Sequence, residues 1–301
     1  MRINVAGAGA IGMLIGARLA EVGFDVRMIT RTAKQAAAIR DEGILLLKGN
    51  EKKVFSVGAT ASSEAGIEDG LTILAMKSYD LEPFLEELNG KLGEAPLLFI
   101  QNGVSHLSLP ARFRDRPIAF GTVEHGSRKT GPRSVEHTGT GPLRISPATD
   151  DFTPFHPLLT AHSPTFPVVR AEEGPGQLLM KKAVKNCLIN PVTAVAGVRN
   201  GMLAEDPDLR ALLGRMHAEL AEAFPEIAGE VTLGEVFDLC RKTADNTSSM
   251  LADLMAGRKT EADSIMGGVI VLAQERCASL PSVTALYDLV RSLERRGDRH
   301  G

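Results

Sequence analysis

The sequence predicts an α/β fold in which a doubly wound, mostly parallel sheet precedes an all-α C-terminal domain. Three observations lead to this prediction. A glycine-rich loop, Gly7-x-Gly9-x-x-Gly12, follows a short apolar strand at the start of the chain. Apolar runs then alternate with helix-like segments, as in parallel sheets that are covered on both faces. After Gly176 nearly every segment has helical periodicity. We therefore expect a Rossmann-type domain at 1–168 and a helical domain at 169–301.

The first half of the chain alternates between the two kinds of element. Predicted strands lie at 3–6, 24–29, 71–76 and 96–101, and predicted helices lie at 11–22, 33–42 and 81–92. Two further stretches, GILLLKG (43–49) and KVFSVGAT (53–60), have strand composition and suit a hairpin. From Arg116 onwards Gly and Pro repeatedly break a strand-like alternation, which predicts an antiparallel extension at one end of the sheet.

The second half is predicted to be helical throughout. Helices are expected at 177–199, 207–223, 232–244, 246–256, 260–278 and 282–296. Asn246 and Ser282 are predicted N-caps, because their side-chain oxygens can accept from the free N–H groups of a first helical turn. Thr260 is a third capping candidate, ahead of the 260–278 helix.

Composition and charge argue against several classes of protein. The chain has 301 residues, is 44% hydrophobic, and has a formal net charge of −3. A nearly neutral chain without Trp gives no basis for binding nucleic acid or an anionic membrane. Glycines and charges interrupt the apolar N-terminus, so we expect neither a signal peptide nor a membrane span. We expect a cytoplasmic protein whose three widely spaced cysteines are buried thiols.

The glycine loop has the spacing of a dinucleotide-binding turn. In such a turn the first glycine allows a tight bend, the second lets the backbone approach a pyrophosphate, and the third lets helix and strand pack closely. Free N–H groups of the following helix attract the phosphates. A turn that is rich in small residues for packing alone is the alternative. The strand–loop–helix–strand context favours a nucleotide site, with contacts from Gly7, Gly9, Ala10, Ile11 and Gly12.

The end of the second strand predicts which dinucleotide binds. NAD sites usually have Asp or Glu at this position. This chain has Arg31, which lies 19 residues beyond Gly12. A guanidinium can hold a 2′-phosphate by charge-assisted, bidentate hydrogen bonds, whereas a carboxylate would repel it. We therefore predict NADP(H) as the cofactor, and a solvated surface Arg is the alternative.

Two polar residues follow later strands of the predicted sheet. Lys77 comes after the strand at 71–76, and Asn102 after the strand at 96–101. Ligands gather at the carboxyl ends of parallel strands, so both residues are expected near the cofactor. Taken singly, each is more often an ordinary loop residue than a site residue.

A row of polar residues crosses the otherwise apolar helix KKAVKNCLINPVTA (181–194). Lys182, Asn186 and Asn190 are spaced by four and share one helix face. Polar groups that are buried there need partners, because an unsatisfied group costs about 1–3 kcal/mol. Helix geometry alone leaves two alternatives open, a partly solvated stripe and a binding site. Two later stretches, DNTSSMLADL (245–254) and RKTEADSI (258–265), are better explained by helix capping when their chemistry is considered alone.

Together these segments resemble one family. GAGAIG, Arg31, MK, QNG, KxxxNCLINPVTA, NTSSMLAD and KTEAD occur in the order seen in ketopantoate reductases (2-dehydropantoate 2-reductases). The resemblance spans nearly the whole chain and is most specific around 182–194. It implies NADPH-dependent reduction of 2-ketopantoate to pantoate, a step towards pantothenate and coenzyme A.

The resemblance also implies individual roles. It assigns the catalytic lysine to Lys182, and not to Lys181 or Lys185, and the acidic partner to Glu261. It assigns substrate binding to Asn186, Asn190, Asn246 and Ser249. It assigns cofactor contacts to the glycine loop, Arg31, Lys77 and Asn102. The segment 121–127 departs from the family at Glu124, where a small polar residue is expected, and has no assigned role.

Rival functions and partners stay open at this stage. A reductase of other branched 2-keto acids is the alternative within the enzyme class, and a non-catalytic NADPH-binding sensor is the alternative outside it. We expect a small-molecule 2-keto acid as the partner, no nucleic acid and no membrane. A homodimer through the helical domain is one alternative for the oligomeric state. The seven histidines have no metal-like spacing, so no metal site is predicted.

Overall fold

The computed structural model describes residues 1–66, 69–88, 94–113, 116–149 and 151–297. The chain forms two compact units. The first contains Met1–Gln101 and Ser108–Leu178, and the second contains Asn102–Leu107 and Leu179–Gly301. The short segment Asn102–Leu107 therefore packs with the helices of the second unit. The domain boundary expected after residue 168 stays a prediction.

The first unit contains strands and a few helices. Its strands are β1 (Arg2–Ala6), β2 (Asp25–Thr30), β3 (Ile44–Lys48), β4 (Glu51–Phe55), β5 (Gly58–Ala61), β6 (Leu71–Leu74), β7 (Leu97–Phe99), β8 (Ile118–Val123), β9 (Gly126–Lys129), β10 (Ser134–Gly139), β11 (Leu143–Pro147) and β12 (Val168–Arg170). Its α-helices are α1 (Ala10–Glu21), α2 (Ala33–Glu42) and α3 (Ser78–Glu87).

Eight strands form the main sheet, in the order β12-β11-β8-β7-β6-β1-β2-β5. Neighbouring strands run parallel except for β8 and β11. The strand order reverses at β1, which lies between β2 and β6. In open α/β sheets, the carboxyl end of the strand at such a switch point is where ligands bind. The predicted doubly wound sheet is confirmed, and its switch point lies directly before the glycine loop.

A second sheet has the order β4-β3-β10-β9. The hairpin expected at 43–60 forms only in part. Strands β3 and β4 pair antiparallel, but the end of KVFSVGAT becomes β5 and joins the main sheet beside β2. The antiparallel extension is divided in the same way, because β11 pairs with β8 whereas β9 pairs with β10. Apolar alternation indicates that a strand forms, but it does not indicate which strand it pairs with.

The core of the first unit follows from its continuous apolar strands. Ile3 and Val5 of β1 and Ile73 of β6 are fully buried in the sheet. Met13, Leu14 and Ile15 of α1 are buried to the same degree in the same cluster. Burial of this kind contributes about 25 cal/mol for each Å² of apolar surface. It fixes α1 against the sheet and the preceding loop at the carboxyl end of β1.

The second unit is helical. Its helices are α4 (Pro175–Ala196, whose first residues belong to the first unit), α5 (Met202–Glu205), α6 (Pro207–Ala223), α7 (Pro225–Ala228), α8 (Leu233–Lys242), α9 (Ser249–Met255), α10 (Gly268–Glu275) and α11 (Pro281–Gly297). A π-helical segment, Asp263–Gly267, precedes α10. In the described part of the chain, no helix is both long and apolar enough to cross a membrane.

Three local predictions in this unit are wrong. The N-cap of α9 is Ser248, whose side chain accepts from the Leu251 N–H, and Asn246 lies outside the helix. Helix α11 begins at Pro281, so Ser282 lies inside its first turn, where its N–H donates to the Glu219 carboxylate at 3.0 Å. Among the cysteines, Cys187 and Cys240 are buried as expected, but Cys277 is exposed.

Candidate functional site

The glycine loop joins β1 to α1 at the switch point of the main sheet. Gly7 has φ +105°, and a Cβ there would lie 2.6 Å from the backbone nitrogen of Met76. A Cβ on Gly12 would lie 1.8 Å from the Gly7 carbonyl oxygen. A Cβ on Gly9 would meet nothing within 4 Å. Packing inside the protein therefore explains the glycines at 7 and 12, whereas the open space at Gly9 suits the approach of a ligand.

No side chain caps the start of helix α1. Its N-cap is Gly9, which offers no side-chain hydrogen bond, and the first turn carries no acidic residue. The first N–H groups of a helix have no intrahelical partner and attract anions. Ala10 and Ile11, both half-buried, provide such N–H groups. The loop and helix start together fit a bound pyrophosphate.

Arg31 lies directly after β2, where the sequence predicted it. Its side chain is 76% exposed, and its guanidinium forms an ion pair with Asp80 in the first turn of α3. The next residue, Thr32, is the N-cap of α2 and accepts from the Gln35 N–H. An exposed guanidinium beside the switch point is available to a phosphate, although Asp80 competes for it.

Lys77 follows β6 and is the N-cap residue of α3, without a side-chain capping bond. It directly follows Met76, whose backbone is in close contact with Gly7. Lys77 is half-buried in the first unit and follows β6, the strand beside β1. The strand order thus places the backbone of Lys77 near the glycine loop, and its contact with the cofactor stays a prediction. Asn102 belongs to the second unit.

Two separate rows of polar side chains lie along α4. Lys181 forms an ion pair with Glu230, and Lys185 lies near Glu235 of α8. Hydrogen bonds from Thr232 lower the pKa of Glu235, and the charge of Lys185 lowers it to a smaller extent. The second row contains Lys182, Asn186 and Asn190. Lys182 and Asn186 are half-buried, and Asn190 is 7% exposed. The side-chain amides of Asn186 and Asn190 form no hydrogen bond with another residue that the structure describes.

The start of α9 is tied to this second row of α4. The Thr193 hydroxyl, fully buried, is 2.9 Å from the Asn190 carbonyl oxygen and 2.7 Å from Ser248 Oγ. Ser248 caps α9, so this contact fixes the position of Asn246 and Ser249 on either side of the cap. Both residues are exposed. The end of α4, which carries Asn190, is therefore joined by this hydroxyl contact to the start of α9, next to which Asn246 and Ser249 lie.

Glu261 lies two residues before the π-helical segment and is only 6% exposed. Its carboxylate accepts from the Asn102 side-chain amide at 2.9 Å. Ser264 Oγ donates to the Asn102 carbonyl at 2.6 Å and is 2.9 Å from Ser105 Oγ. Gly103 permits this approach, because it has φ +87° and a Cβ there would lie 2.1 Å from the Ser264 carbonyl oxygen. The structure thus places a predicted cofactor residue and a predicted acidic residue in direct contact.

The π-helical segment also packs against α4. The Cys187 thiol is 3.7 Å from the Ile265 carbonyl oxygen, and burial raises the pKa of this thiol to about 12. Cys187 adjoins Asn186 in sequence, so this contact packs the π-helical segment, which follows Glu261, against the middle of α4. π-helical turns occur frequently at functional sites. Sequence periodicity could not distinguish this turn from an ordinary helix.

Two polar residues near these groups were missed at the sequence level. Asn200 is buried, and its N–H donates to the Asn246 carbonyl at 3.1 Å. Its Oδ1 atom has no hydrogen-bond partner among the described residues. Ser264 was also missed, because a single Ser within a helical segment carries no distinctive signal. The GVRNGM stretch around Asn200, with its helix-breaking glycines, gave the only sequence hint.

The segment 121–127, to which the sequence assigned no role, contributes His125 to a buried series of hydrogen bonds with His137 and Arg18. His137 Nδ1 lies 3.1 Å from Arg18 Nη2, and His137 Nε2 lies 3.1 Å from His125 Nδ1. Arg is always a donor, so His137 accepts at Nδ1 and donates from Nε2. Burial and the nearby His137, Arg18 and Lys48 lower the pKa of His125 to about 4. Both imidazoles are neutral at pH 7, which fits a structural role.

Comparisons with known proteins address the whole chain. Models described as "Ketopantoate reductase PanE/ApbA" and "Ketopantoate reductase PanE/ApbA C terminal" match residues 3–150 and 177–294. The chain is 32% identical to a 2-dehydropantoate 2-reductase of Bacillus subtilis (strain 168), with 99% of each chain covered. The chain belongs to the ketopantoate reductase family. A second family member, the 2-dehydropantoate 2-reductase of Listeria monocytogenes, is 33% identical over 99% of this chain and 98% of its own.

Solved structures agree with this family assignment. The crystal structure of a probable 2-dehydropantoate 2-reductase from Bacillus subtilis has a TM-score of 0.85 at 30% identity, covering 97% of this chain and 100% of the other. A ternary structure of D-mandelate dehydrogenase with NADH and anilino(oxo)acetate has a TM-score of 0.88 at 22% identity, covering 99% and 100%. The second likeness extends to the fold alone. The chain therefore has the expected fold, a doubly wound sheet followed by a helical domain, and shares it with a solved structure of this ketopantoate reductase family.

Proposed function

We propose that this ketopantoate reductase family member reduces 2-dehydropantoate (ketopantoate) to pantoate with NADPH. The observation that carries the proposal is the full-length likeness to two curated 2-dehydropantoate 2-reductases. Two observations in the second unit agree with it: Glu261 is buried and hydrogen-bonded to Asn102, and the π-helical segment that follows Glu261 contacts α4, the helix of Lys182. The oxidoreductase reading is therefore favoured over a sensor that only binds the cofactor.

The residues of the first unit fit NADPH. The open space at Gly9 and the uncapped start of α1 suit a pyrophosphate. The exposed Arg31 guanidinium suits a 2′-phosphate and would be out of place beside the free ribose hydroxyl of NADH. NADPH, when bound, supplies a hydride to the carbonyl carbon of the 2-keto acid. Gly7, Gly9, Ala10, Ile11, Gly12, Arg31, Lys77 and Asn102 are the proposed cofactor residues.

Lys182 is the proposed general acid. Reduction of a carbonyl leaves negative charge on its oxygen, so a cationic proton donor beside that oxygen lowers the barrier. Glu261 is the proposed acidic partner that positions this proton donor. Asn102 would hold the Glu261 carboxylate by the 2.9 Å hydrogen bond and thereby limit its rotation. In this scheme Lys182 delivers the proton that completes the product hydroxyl.

Four neutral polar side chains are the proposed substrate contacts. Asn186 and Asn190 leave amide groups available on α4, and Asn246 and Ser249 flank the cap of α9. Amides and a hydroxyl can bind both the carboxylate and the terminal hydroxyl of ketopantoate. A site that hydrogen-bonds a substrate hydroxyl rejects analogues without it by up to about 10⁴–10⁵-fold. We therefore propose a preference for ketopantoate over 2-ketoisovalerate.

One experiment tests both the reaction and its acid. NADPH oxidation is followed at the nicotinamide absorbance with ketopantoate, 2-ketoisovalerate and other branched 2-keto acids. Lys182→Ala is expected to lower kcat by about 10²–10⁴-fold, the usual contribution of general acid catalysis, with NADPH affinity retained. Lys181→Ala and Lys185→Ala are matched controls from the other row of α4 and are expected to retain turnover. Near-normal turnover by Lys182→Ala would overturn the assignment.

The partners follow from this proposal. We propose a small-molecule 2-keto acid as the substrate, with no nucleic-acid or membrane partner, and the cytoplasm as the location. A homodimer through the helical unit stays a proposal, which sedimentation or light scattering of the purified protein tests directly.

A further inference from the structure

Lys129 reaches the glycine loop from the second sheet. It is the last residue of β9, and its ammonium donates to the Ala8 carbonyl at 3.1 Å. Ala8 lies between the two glycines, Gly7 and Gly9, that shape the loop. A positive charge therefore lies directly at the phosphate-binding turn, although the sequence separates the two residues by 121 positions.

A second side chain fixes the same carbonyl. Gln35, in the first turn of α2, donates to the Ala8 carbonyl at 2.9 Å and to the Pro132 carbonyl at 2.7 Å. Its backbone N–H is bonded to the Thr32 side chain, next to Arg31. Hydrogen bonds of Gln35 thus connect the glycine loop to the start of α2 and to the turn after β9. Lys129 adds a charged contact to the same loop from β9.

The charge of Lys129 is not balanced within the described part of the protein. No described carboxylate forms an ion pair with it, whereas its neighbour Arg128 is paired with Glu136 at 2.6 Å. Partial burial of the ammonium lowers the pKa of Lys129, although the residue as a whole is exposed to solvent. The ammonium is therefore held at the glycine loop by the Ala8 carbonyl and is accessible to an anion from solvent. It has three N–H donors, of which the Ala8 carbonyl takes one.

We propose that Lys129 binds a phosphate group of the dinucleotide cofactor at the glycine loop. The ligand's identity rests on the proposed function, whereas the position of the charge rests on the contacts above. Backbone N–H groups of the loop and α1 are neutral donors. Lys129 adds a full positive charge to them, on the side of the loop that faces β9. It is a cofactor-binding residue contributed by the second sheet.

Direct binding of the cofactor tests this proposal without any turnover. Dissociation constants for NADPH and NADH are measured by nicotinamide fluorescence at two salt concentrations. Lys129→Gln keeps a donor but removes the charge, and it should weaken binding by about tenfold or more, as for the loss of a hydrogen bond to a charged group. The salt dependence of its dissociation constant should fall as well, because an ionic contact is lost. Lys129→Arg should bind nearly as the wild type does.

A matched variant separates charge from loop support. Gln35→Leu removes the other donor to the Ala8 carbonyl but no charge, so it should leave the salt dependence unchanged. Equal losses for NADPH and NADH would place Lys129 at the pyrophosphate, and a loss confined to NADPH would place it at the 2′-phosphate. Both support the proposal. Unchanged affinity in Lys129→Gln, or a loss that Lys129→Arg does not rescue, would overturn it.

The two proposals can also fail separately. A wild-type protein that binds neither dinucleotide would overturn the proposed function together with this inference. A wild-type protein that binds NADPH, with a Lys129→Gln variant that binds it equally well, would overturn this inference alone. Thermal unfolding of each variant shows whether the fold is retained, and Lys129→Arg supplies the comparison if Lys129→Gln is unstable.

Discussion

The glycines at positions 9 and 12 should respond in opposite ways to the same substitution. In Gly12→Ala the new methyl group would start 1.8 Å from the Gly7 carbonyl oxygen, which is backbone and cannot rotate away. The start of α1 must therefore shift, and overpacking of this kind costs about 1–3 kcal/mol. Alanine regains up to about 1 kcal/mol in a helix interior relative to glycine. We expect a net loss of about 1–2 kcal/mol in the free energy of unfolding.

Gly9→Ala should leave the stability nearly unchanged. The methyl group would meet nothing within 4 Å, and the backbone angles, φ −80° and ψ −169°, suit any residue. Alanine restricts the unfolded chain, which adds about 0.4–1 kcal/mol, but it is a poorer N-cap than glycine by a similar amount. The methyl group would, however, occupy the space through which a pyrophosphate approaches. NADPH affinity should therefore fall although the fold is intact.

Urea unfolding and fluorescence titration with NADPH separate the two effects. Gly12→Ala should unfold at lower urea, and Gly9→Ala should unfold like the wild type but bind NADPH more weakly. The reasoning is refuted if Gly9→Ala binds NADPH with unchanged affinity, because the open space at this position would then have no connection with the cofactor. A stable Gly12→Ala would contradict the packing argument alone.

Three further predictions concern the cofactor, the Asn102 contact and the buried histidines. Arg31→Ala should weaken NADPH binding by about tenfold or more and leave NADH binding nearly unchanged, as titrations with both dinucleotides would show. Ser264→Ala removes the 2.6 Å bond to the Asn102 carbonyl, and its kcat should fall by about fivefold, with a loss of NADPH affinity of at most the same size, because Asn102 bonds to Glu261 and is a proposed cofactor residue. The free energy of unfolding should fall as the pH is lowered from about 6.5 to 4. In this range His125 is protonated in the unfolded chain but stays neutral in the folded protein, where its pKa is lowered to about 4.

Each of these predictions has its own control. Arg31→Lys retains the charge and should recover part of the NADPH affinity. Ser264→Thr keeps the hydroxyl and should recover kcat, whereas equal losses in both variants would indicate a packing effect only. For the pH effect, His125→Gln should flatten the decrease in stability, since the other histidines are the same in both proteins. An unchanged pH slope in that variant would contradict the role given to His125.

Much of the first unit was predictable because its signals are local. The loop from Gly7 to Gly12 is defined by its own steric requirements, and α2 begins and ends where Thr32 and Gly43 dictate. The pairing of β3, β4 and β5 was not predictable, because all three have strand composition and their partners lie far away in sequence. Strand pairing is decided by tertiary packing, which a single sequence does not display.

The same distinction between local and long-range signals applies to the candidate site. Arg31, Lys77 and Asn102 could be predicted as cofactor residues because each follows an apolar strand, and ligands gather at strand ends. Lys129 and Ser264 were missed because their importance lies in contacts with residues more than 100 positions away, Ala8 and Asn102. No periodicity or short motif encodes such contacts.

The choice among the three lysines of α4 gains a physical argument from the structure. Residues 181 and 185 are four apart and form a row of their own, and that row faces carboxylates: Lys181 is paired with Glu230, and Lys185 lies near Glu235. This ion pair directs the Lys181 ammonium towards a carboxylate on another segment of the second unit. Lys182 lies on the other row, whose next two members are the neutral Asn186 and Asn190. Neutral amides can bind the carboxylate and hydroxyl groups of a keto acid, so a proton donor on this row would lie beside substrate-binding groups. Helical spacing separates the rows, and the two amides on the second row support the proposal that Lys182, and not Lys181 or Lys185, is the proton donor.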